Sequence, residues 1–209
     1  MQLYSHWRST TSYRVRIAFN LKGIAFDTVP IDLGKGEQRV PTYLEVNPGA
    51  GVPALRLGDG TILTQSMAIL EWAEEVAPKP AILPQDPERR ALVRAAAFGI
   101  ATDVHPVNNL RVIGKLNRMG HSQEEGLAWM HDWMAIGFHA FARLIRDDTP
   151  FCFGESPSLA DICLIPQLYN AHRWGVDLTA FARLTDIEAR CLDLPAFADA
   201  HPENQADAA

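Results

Sequence analysis

The chain has 209 residues, enough for one or two compact domains with a real buried core. Hydrophobic residues make up 47% and charged residues 21%, the composition of an ordinary globular protein. Against 25 Asp and Glu stand 19 Lys and Arg, a net charge of −6, so there is no bulk positive field to draw in nucleic acid, although a local basic pocket is compatible with it.

Met1 to Arg8 lacks the charged lead, apolar run and cleavage site of a signal peptide. No window approaches the ~20 apolar residues of a membrane helix. Three cysteines, Cys152, Cys163 and Cys191, form an odd set with no metal-binding or redox spacing. Two lie in apolar surroundings and read as buried, inert thiols of a reducing compartment. A cytoplasmic location is the expectation that follows. The polar, Ala-rich tail 203–209 reads as frayed.

The first 76 residues alternate strand and helix. The pattern predicts a strand over 2–5, a helix over 12–22 ended by Gly23, and a strand over 25–31. A weak helix over 38–45 stops before Asn47-Pro48. Strands over 52–57 and 61–64 flank the hairpin turn Gly58-Asp59-Gly60, and a helix over 66–76 follows with Ser66 as its N-cap. The order βαβαββα implies one parallel and one antiparallel pairing, hence a four-stranded mixed sheet of thioredoxin-like type. Four prolines between 77 and 87 make a stiff connector. Beyond it the periods at 88–116, 123–146, 158–173 and 179–191 are helical. The expectation is a thioredoxin-like domain over 1–80 and an all-helical domain over 87–209. Ser158-Leu159-Ala160-Asp161 is a capping box with a structural role.

Ser9-Thr10-Thr11-Ser12 lies between the first strand and the first helix. One hydroxyl there caps the helix, yet one cap needs only one hydroxyl and four stand in a row. A helix N-terminus also suits a bound anion or thiolate. Holding a thiol of pKa ~8.5 ionised at neutral pH needs about two units, or roughly 2.7 kcal/mol. A hydrogen bond to a charged acceptor contributes ~1.5–3 kcal/mol and the helix end ~0.3–1 kcal/mol, so hydroxyls and a dipole suffice. Pro53 cannot donate to a ladder and marks an edge or a special turn. A trans peptide is the ordinary case; a cis one would turn the Val52 backbone outward for an extended ligand. Gln65-Ser66 opens a helix and reads either as a cap or as a second anion site.

The run from Arg8 to Ala18 with Leu21-Lys22-Gly23 resembles the start of zeta-class glutathione transferases. Asn47-Pro48, Val52-Pro53, Gln65-Ser66, the proline connector, the 103–109 segment and the Ser158 capping box fall in matching order over essentially the whole chain. The resemblance implies a glutathione transferase fold, glutathione as cofactor and a homodimer. It implies isomerisation of maleylacetoacetate to fumarylacetoacetate in aromatic catabolism, or of maleylpyruvate. Ser9 and Thr11 would face the glutathione sulfur, with Thr10 and Gln38 nearby. Val52 would pair with its backbone through a cis Pro53, and Gln65 and Ser66 would hold its γ-glutamyl end. Two departures stand out: many members carry Ser-Ser-Cys where this chain has Ser9-Thr10-Thr11, and Gly49-Ala50-Gly51 replaces bulkier polar residues.

Dicarboxylate substrates call for arginines. Arg8, beside Ser9, and Arg173 would each grip one carboxylate in bidentate fashion; the plain alternative is a surface ion pair. Pro106 inside a helical run breaks a backbone bond, and Asn108 and Asn109 are poor helix formers. On a continuous helix His105, Asn109 and Val112 would share a face, with Arg111 slightly off it. The resemblance places His105, Asn109 and Arg111 at the glutathione site; a core histidine is the alternative. No metal is implied. Two other functions use or discard the same site: transfer or dehalogenation on small α-halo acids, and a non-catalytic glutathione-binding protein.

Overall fold

The computed structural model describes residues 1–208. Contacts divide the chain into one unit of 1–81 with 192–209 and a second of 82–191. The segment from Leu192 thus groups with the first unit, not with the helical residues that precede it in sequence.

In the first unit a four-stranded mixed sheet has the order β2-β1-β3-β4. Strand β1 (Gln2–Ser5) runs parallel to β2 (Asp27–Pro30) and antiparallel to β3 (Ala54–Arg56), which pairs antiparallel with β4 (Ile62–Thr64). Helix α1 (Thr10–Lys22) is the crossover between the parallel strands β1 and β2. Its Val15 and Phe19 pack with Leu3, Leu55, Ile69 and Ala73, the last two from α3 (Ser66–Val76). The expected thioredoxin-like order is therefore present.

Several expected boundaries shift, each for a local reason. The 25–31 strand shortens to β2 because its partner β1 offers four residues. Strand β3 begins at Ala54, after a proline with no N–H to pair. The weak helix 38–45 divides into a 3-10 turn, Glu37–Arg39, and α2 (Pro41–Leu44), because Pro41 holds Val40 extended at φ −72°, ψ 147°. Helix α1 starts two residues early, capped by Ser9, and ends as expected on left-handed Gly23.

Buried charge ties this unit together. Lys22 Nζ donates to Glu74 and to the carbonyls of Ala77 (2.7 Å) and Pro80 (2.9 Å). Arg16 donates to Ser5 Oγ, Trp7 O and Ala200 O. The C-terminal segment is ordered, contrary to the frayed tail its composition suggests. Asn20 holds Ala196 O in α9 (Pro195–Ala198), Asn204 and Gln205 bond back to the Ala198 and Asp199 carbonyls, and Asp207 accepts the Trp7 N–H at 3.1 Å. Small composition effects lose to a set of part-buried and exposed hydrogen bonds that pin the backbone.

The second unit is helical: α4 (Pro87–Phe98), α5 (Leu110–Arg118), α6 (Gln123–Ala142), α7 (Leu159–Trp174) and α8 (Ala182–Leu192). The single helix expected over 88–116 is broken. After α4 a π-helical stretch, Gly99–Val104, carries the His105 amide to the Ile100 carbonyl (2.9 Å). A turn over Pro106 follows, and Asn109 caps α5 by accepting the Arg111 N–H at 3.0 Å. His105, Asn109 and Val112 therefore do not share the face of one helix. Gly137 of α6 lies against this stretch so closely that a Cβ there would clash with Val104 Cγ2. The Ser158 capping box forms: buried Asp161 accepts from Ser158 N (2.7 Å), Ser158 Oγ (2.8 Å) and Cys152 N (2.9 Å). A second box, Ser122 with Glu125, starts α6. All three cysteines are buried, and none is in a disulfide. Among the described residues no helix is long and apolar enough to cross a membrane.

Candidate active site

The chemistry gathers where β1 gives way to α1. The Ser9 N–H donates to His6 O (3.0 Å), closing a tight turn. Trp7 is fixed by Asp207 at its N–H and by Arg16 at its carbonyl. Its ring carries the exposed Arg8 guanidinium 4.4 Å from the centroid, a cation–π contact that sets the direction of the side chain.

Ser9 is the N-cap of α1, and its Oγ accepts the Ser12 N–H at 3.3 Å. Ser9 Oγ and Thr11 Oγ1 lie 2.9 Å apart, and Thr11 donates to the Val52 carbonyl at 2.9 Å. Thr10 and Ser12 are buried, whereas Ser9 and Thr11 are half-buried. Of the four hydroxyls, two remain open to a ligand. The expectation of Ser12 as first helical residue thus gives way to a helix that begins at Thr10, with half-buried Ser9 as its cap.

The Val52-Pro53 peptide is cis. The loop before it is held twice at one atom, since the Gly51 carbonyl accepts from Tyr43 Oη (2.6 Å) and Asn47 Nδ2 (2.7 Å). With Thr11 on the next carbonyl, two consecutive carbonyls of this segment are pinned. Burial pushes the Tyr43 phenol up to about 12, against a partial offset from Asn47. The hydroxyl therefore stays protonated and able to donate. Tyr43 carries no motif signal in the sequence; Asn47, followed by Pro48 and Gly49, does.

At α3 the N-cap is Gln65, not Ser66 as expected. Gln65 adopts φ 70°, a left-handed backbone costing ~1–3 kcal/mol for a non-glycine residue, and its side chain makes no capping bond. Ser66 is buried one position later, with Arg14 Nη1 3.5 Å from its Oγ. Gln38, in the 3-10 turn, is 8% exposed, and its Oε1 has no partner among the described residues.

His105, Asn109, Arg111 and Arg173 belong to the second unit. His105 and Asn109 are half-buried, and Arg111 and Arg173 exposed. The Arg173 guanidinium stands 4.7 Å from the Trp174 ring centroid at the end of α7.

Electrostatically the first unit supplies hydroxyls, helix ends and a guanidinium, with no reactive thiol of its own. Burial pushes the thiols of Cys152 and Cys191 far up, so neither ionises near neutrality. His6 is lowered by burial, with Asp207 and Asp32 opposing, and stays neutral at physiological pH. A thiolate at Ser9 must come with the ligand. A γ-glutamyl peptide thiol fits these residues: a thiolate for Ser9, amide donors for the orphaned Gln38 oxygen and the Val52 carbonyl, and an anionic end for the N-terminus of α3, where the Gln65 side chain makes no capping bond.

Two family models match the chain: glutathione S-transferase, N-terminal domain, over 8–76, and glutathione S-transferase, C-terminal domain, over 128–199. The chain is 45% identical to a maleylacetoacetate isomerase of Pseudomonas aeruginosa, over 99% of this chain and 98% of the relative. It is 41% identical to a maleylpyruvate isomerase of a Ralstonia species, with 100% of both covered. Among solved structures it is similar to a holo maleylpyruvate isomerase described as a bacterial glutathione transferase of zeta class, at TM-score 0.97, 41% identity and full coverage of both chains. It is likewise similar to a maleylacetoacetate isomerase of Methylobacterium extorquens with bound malonate and glutathione, at TM-score 0.95, 38% identity and full coverage of both. A third is a maleylacetoacetate isomerase of Anaeromyxobacter dehalogenans with dicarboxyethyl glutathione and citrate in its active site, at TM-score 0.89, 38% identity, 100% of this chain and 97% of that one. The chain belongs to the glutathione S-transferase family, in its zeta class.

Proposed function

We propose that the protein is a glutathione-dependent cis–trans isomerase that converts maleylacetoacetate to fumarylacetoacetate, with maleylpyruvate as the alternative substrate. The observation that carries this reading is the half-buried Ser9–Thr11 hydroxyl pair at the N-terminus of α1, beside the Val52 carbonyl. When bound, glutathione supplies a thiolate that adds reversibly to the cis double bond, so that the bond rotates before the thiolate leaves. Ser9 Oγ donates to that sulfur, and the α1 N-terminus adds its positive dipole end. Gln38, Val52, Gln65 and Ser66 hold the peptide ends, with Thr10 supporting the turn from inside. Arg8, steered by Trp7, takes a substrate carboxylate; Arg173 is assigned the second one. His105, Asn109 and Arg111 are assigned to glutathione by family resemblance.

A homodimer fits an apolar surface within the helical unit. Phe98, Trp133, Ile136 and Leu144 are exposed, and the last three line an apolar cleft of about 310 Å³ with Gly99 and Ala140. Three buried cysteines outside any disulfide suit a reducing cytoplasm. The test of substrate is side-by-side kinetics with maleylacetoacetate, maleylpyruvate and dichloroacetate. A kcat/KM for the maleyl substrates well above that for dichloroacetate supports the isomerase reading. The reverse order supports dehalogenation and sinks it.

A further inference from the structure

A hydroxyl carries one proton, and this fixes who donates to whom at the α1 N-terminus. The Val52 carbonyl can only accept, so the proton of Thr11 lies on that bond (2.9 Å). The 2.9 Å contact between the two hydroxyls must then run from Ser9 to Thr11. The Ser12 amide occupies one further lone pair of Ser9. In this arrangement both hydroxyl protons are spent inside the protein: Ser9 on Thr11, Thr11 on Val52.

We propose that Thr11 is a positioning residue that acts as a two-state hydroxyl relay, switching Ser9 from a bond inside the protein to the glutathione sulfur. This rests on the reading of the site given above. The thiol proton of glutathione goes to solvent. Ser9 then turns its O–H about the Cβ–Oγ bond from Thr11 to the thiolate. Thr11 turns its O–H from the Val52 carbonyl to Ser9 Oγ, which still accepts the Ser12 amide. The Val52 carbonyl, released by Thr11, accepts an amide N–H of the bound peptide. No heavy atom of the protein needs to move, and every proton has a place in both states. The result is a chain, Thr11 to Ser9 to sulfur, in which each bond polarises the next. It also couples docking of the peptide backbone at Val52 to ionisation of the thiol.

The test is titration of the thiolate absorbance of glutathione bound to the intact protein, with wild type, Thr11→Val, Thr11→Ala, Thr11→Ser and Ser9→Ala. Thr11→Val and Thr11→Ala are expected to raise the pKa of the bound thiol by about half a unit to one unit. Thr11→Ser, which keeps the relay, titrates with the wild type, and Ser9→Ala gives the largest rise. Affinity for S-methylglutathione, which has the same backbone and no thiolate, stays within about twofold in Thr11→Val, because the Val52 carbonyl is free there. The proposal is overturned if Thr11→Val and Thr11→Ala titrate with the wild type. It is equally overturned if Thr11→Val weakens both ligands alike, or if Ser9→Ala leaves the thiol pKa in place, which would put Thr11 itself on the sulfur. A wild type that binds no glutathione overturns the functional reading as well; a wild type with a depressed thiol pKa that ignores Thr11 overturns the relay alone.

Discussion

Truncating Arg8 to alanine removes a guanidinium that the fold has aimed with some care. The side chain is exposed, so its attraction for a carboxylate is partly screened. A bidentate charge-assisted pair is worth ~1.5–3 kcal/mol, and the screened setting argues for the lower half of that range. At 1.4 kcal/mol per decade, Arg8→Ala should raise KM for the maleyl substrate about 10- to 50-fold. Arg8→Lys keeps the charge and loses the fork, so it should fall between. Replacing Trp7 by leucine removes the ring 4.4 Å from the guanidinium. At ~0.5–1 kcal/mol for an exposed cation–π pair, this costs about two- to fivefold in KM. Steady-state kinetics at saturating glutathione reads all three, with the Kd of glutathione as control. A carboxylate grip predicts that the glutathione Kd changes less than about threefold in each variant. An unchanged KM in Arg8→Ala would remove Arg8 from the substrate site. A parallel loss of glutathione affinity would assign it to the thiol instead.

Other outcomes follow from the same contacts. Ser9→Ala loses a long N-cap bond of 3.3 Å, so thermal melts should show a cost of only about 0.5–1 kcal/mol, roughly 1–4 °C in Tm. Gly137→Ala drives a Cβ into Val104 Cγ2 and should cost ~1–3 kcal/mol, with Val104→Ala recovering part of the loss in the double variant; additive costs in chemical denaturation would contradict the close approach. The Tyr43 phenol is raised from 10.0 to about 12, so its contribution is complete below pH 10 and is lost as pH climbs through about 12. Allowing for screening, the stability of the wild type relative to Tyr43→Phe should fall by about 1–2 kcal/mol over that window, and a difference independent of pH would refute the buried-phenol account.

The sequence and the structure agree where a local signal and a tertiary demand coincide. Strand β1 and helix α3 have the expected bounds, and Gly23 ends α1 in the left-handed conformation that its position calls for. Periodicity over 88–116 hid the break at Gly99–Val104, because a π-helical stretch adds one residue without disturbing composition. Pro106 and the two asparagines were the visible trace of it. The Ser158 capping box was expected and forms, whereas the box Ser122-Gln123-Glu124-Glu125 has the same signature and was missed. The four hydroxyls at 9–12 announced a special helix start, but their division into two buried and two half-buried groups depends on where α1 meets its neighbours. Likewise, no local rule says that Tyr43 and Asn47 converge on the Gly51 carbonyl or that Asp207 returns to Trp7 from the other end of the chain. The Gly51 bonds span only eight and four residues yet depend on how α2 and the following loop pack, whereas the Asp207–Trp7 bond joins the two ends of the chain, and both kinds position the residues around Ser9.

The central claim is that glutathione serves as a recycled thiolate catalyst held by Ser9. It is tested most directly by counting product molecules per glutathione, with total thiol measured alongside. The account predicts many trans products per glutathione, a rate proportional to bound glutathione, and no loss of thiol. Stoichiometric consumption of thiol, or equal turnover without glutathione, would contradict it.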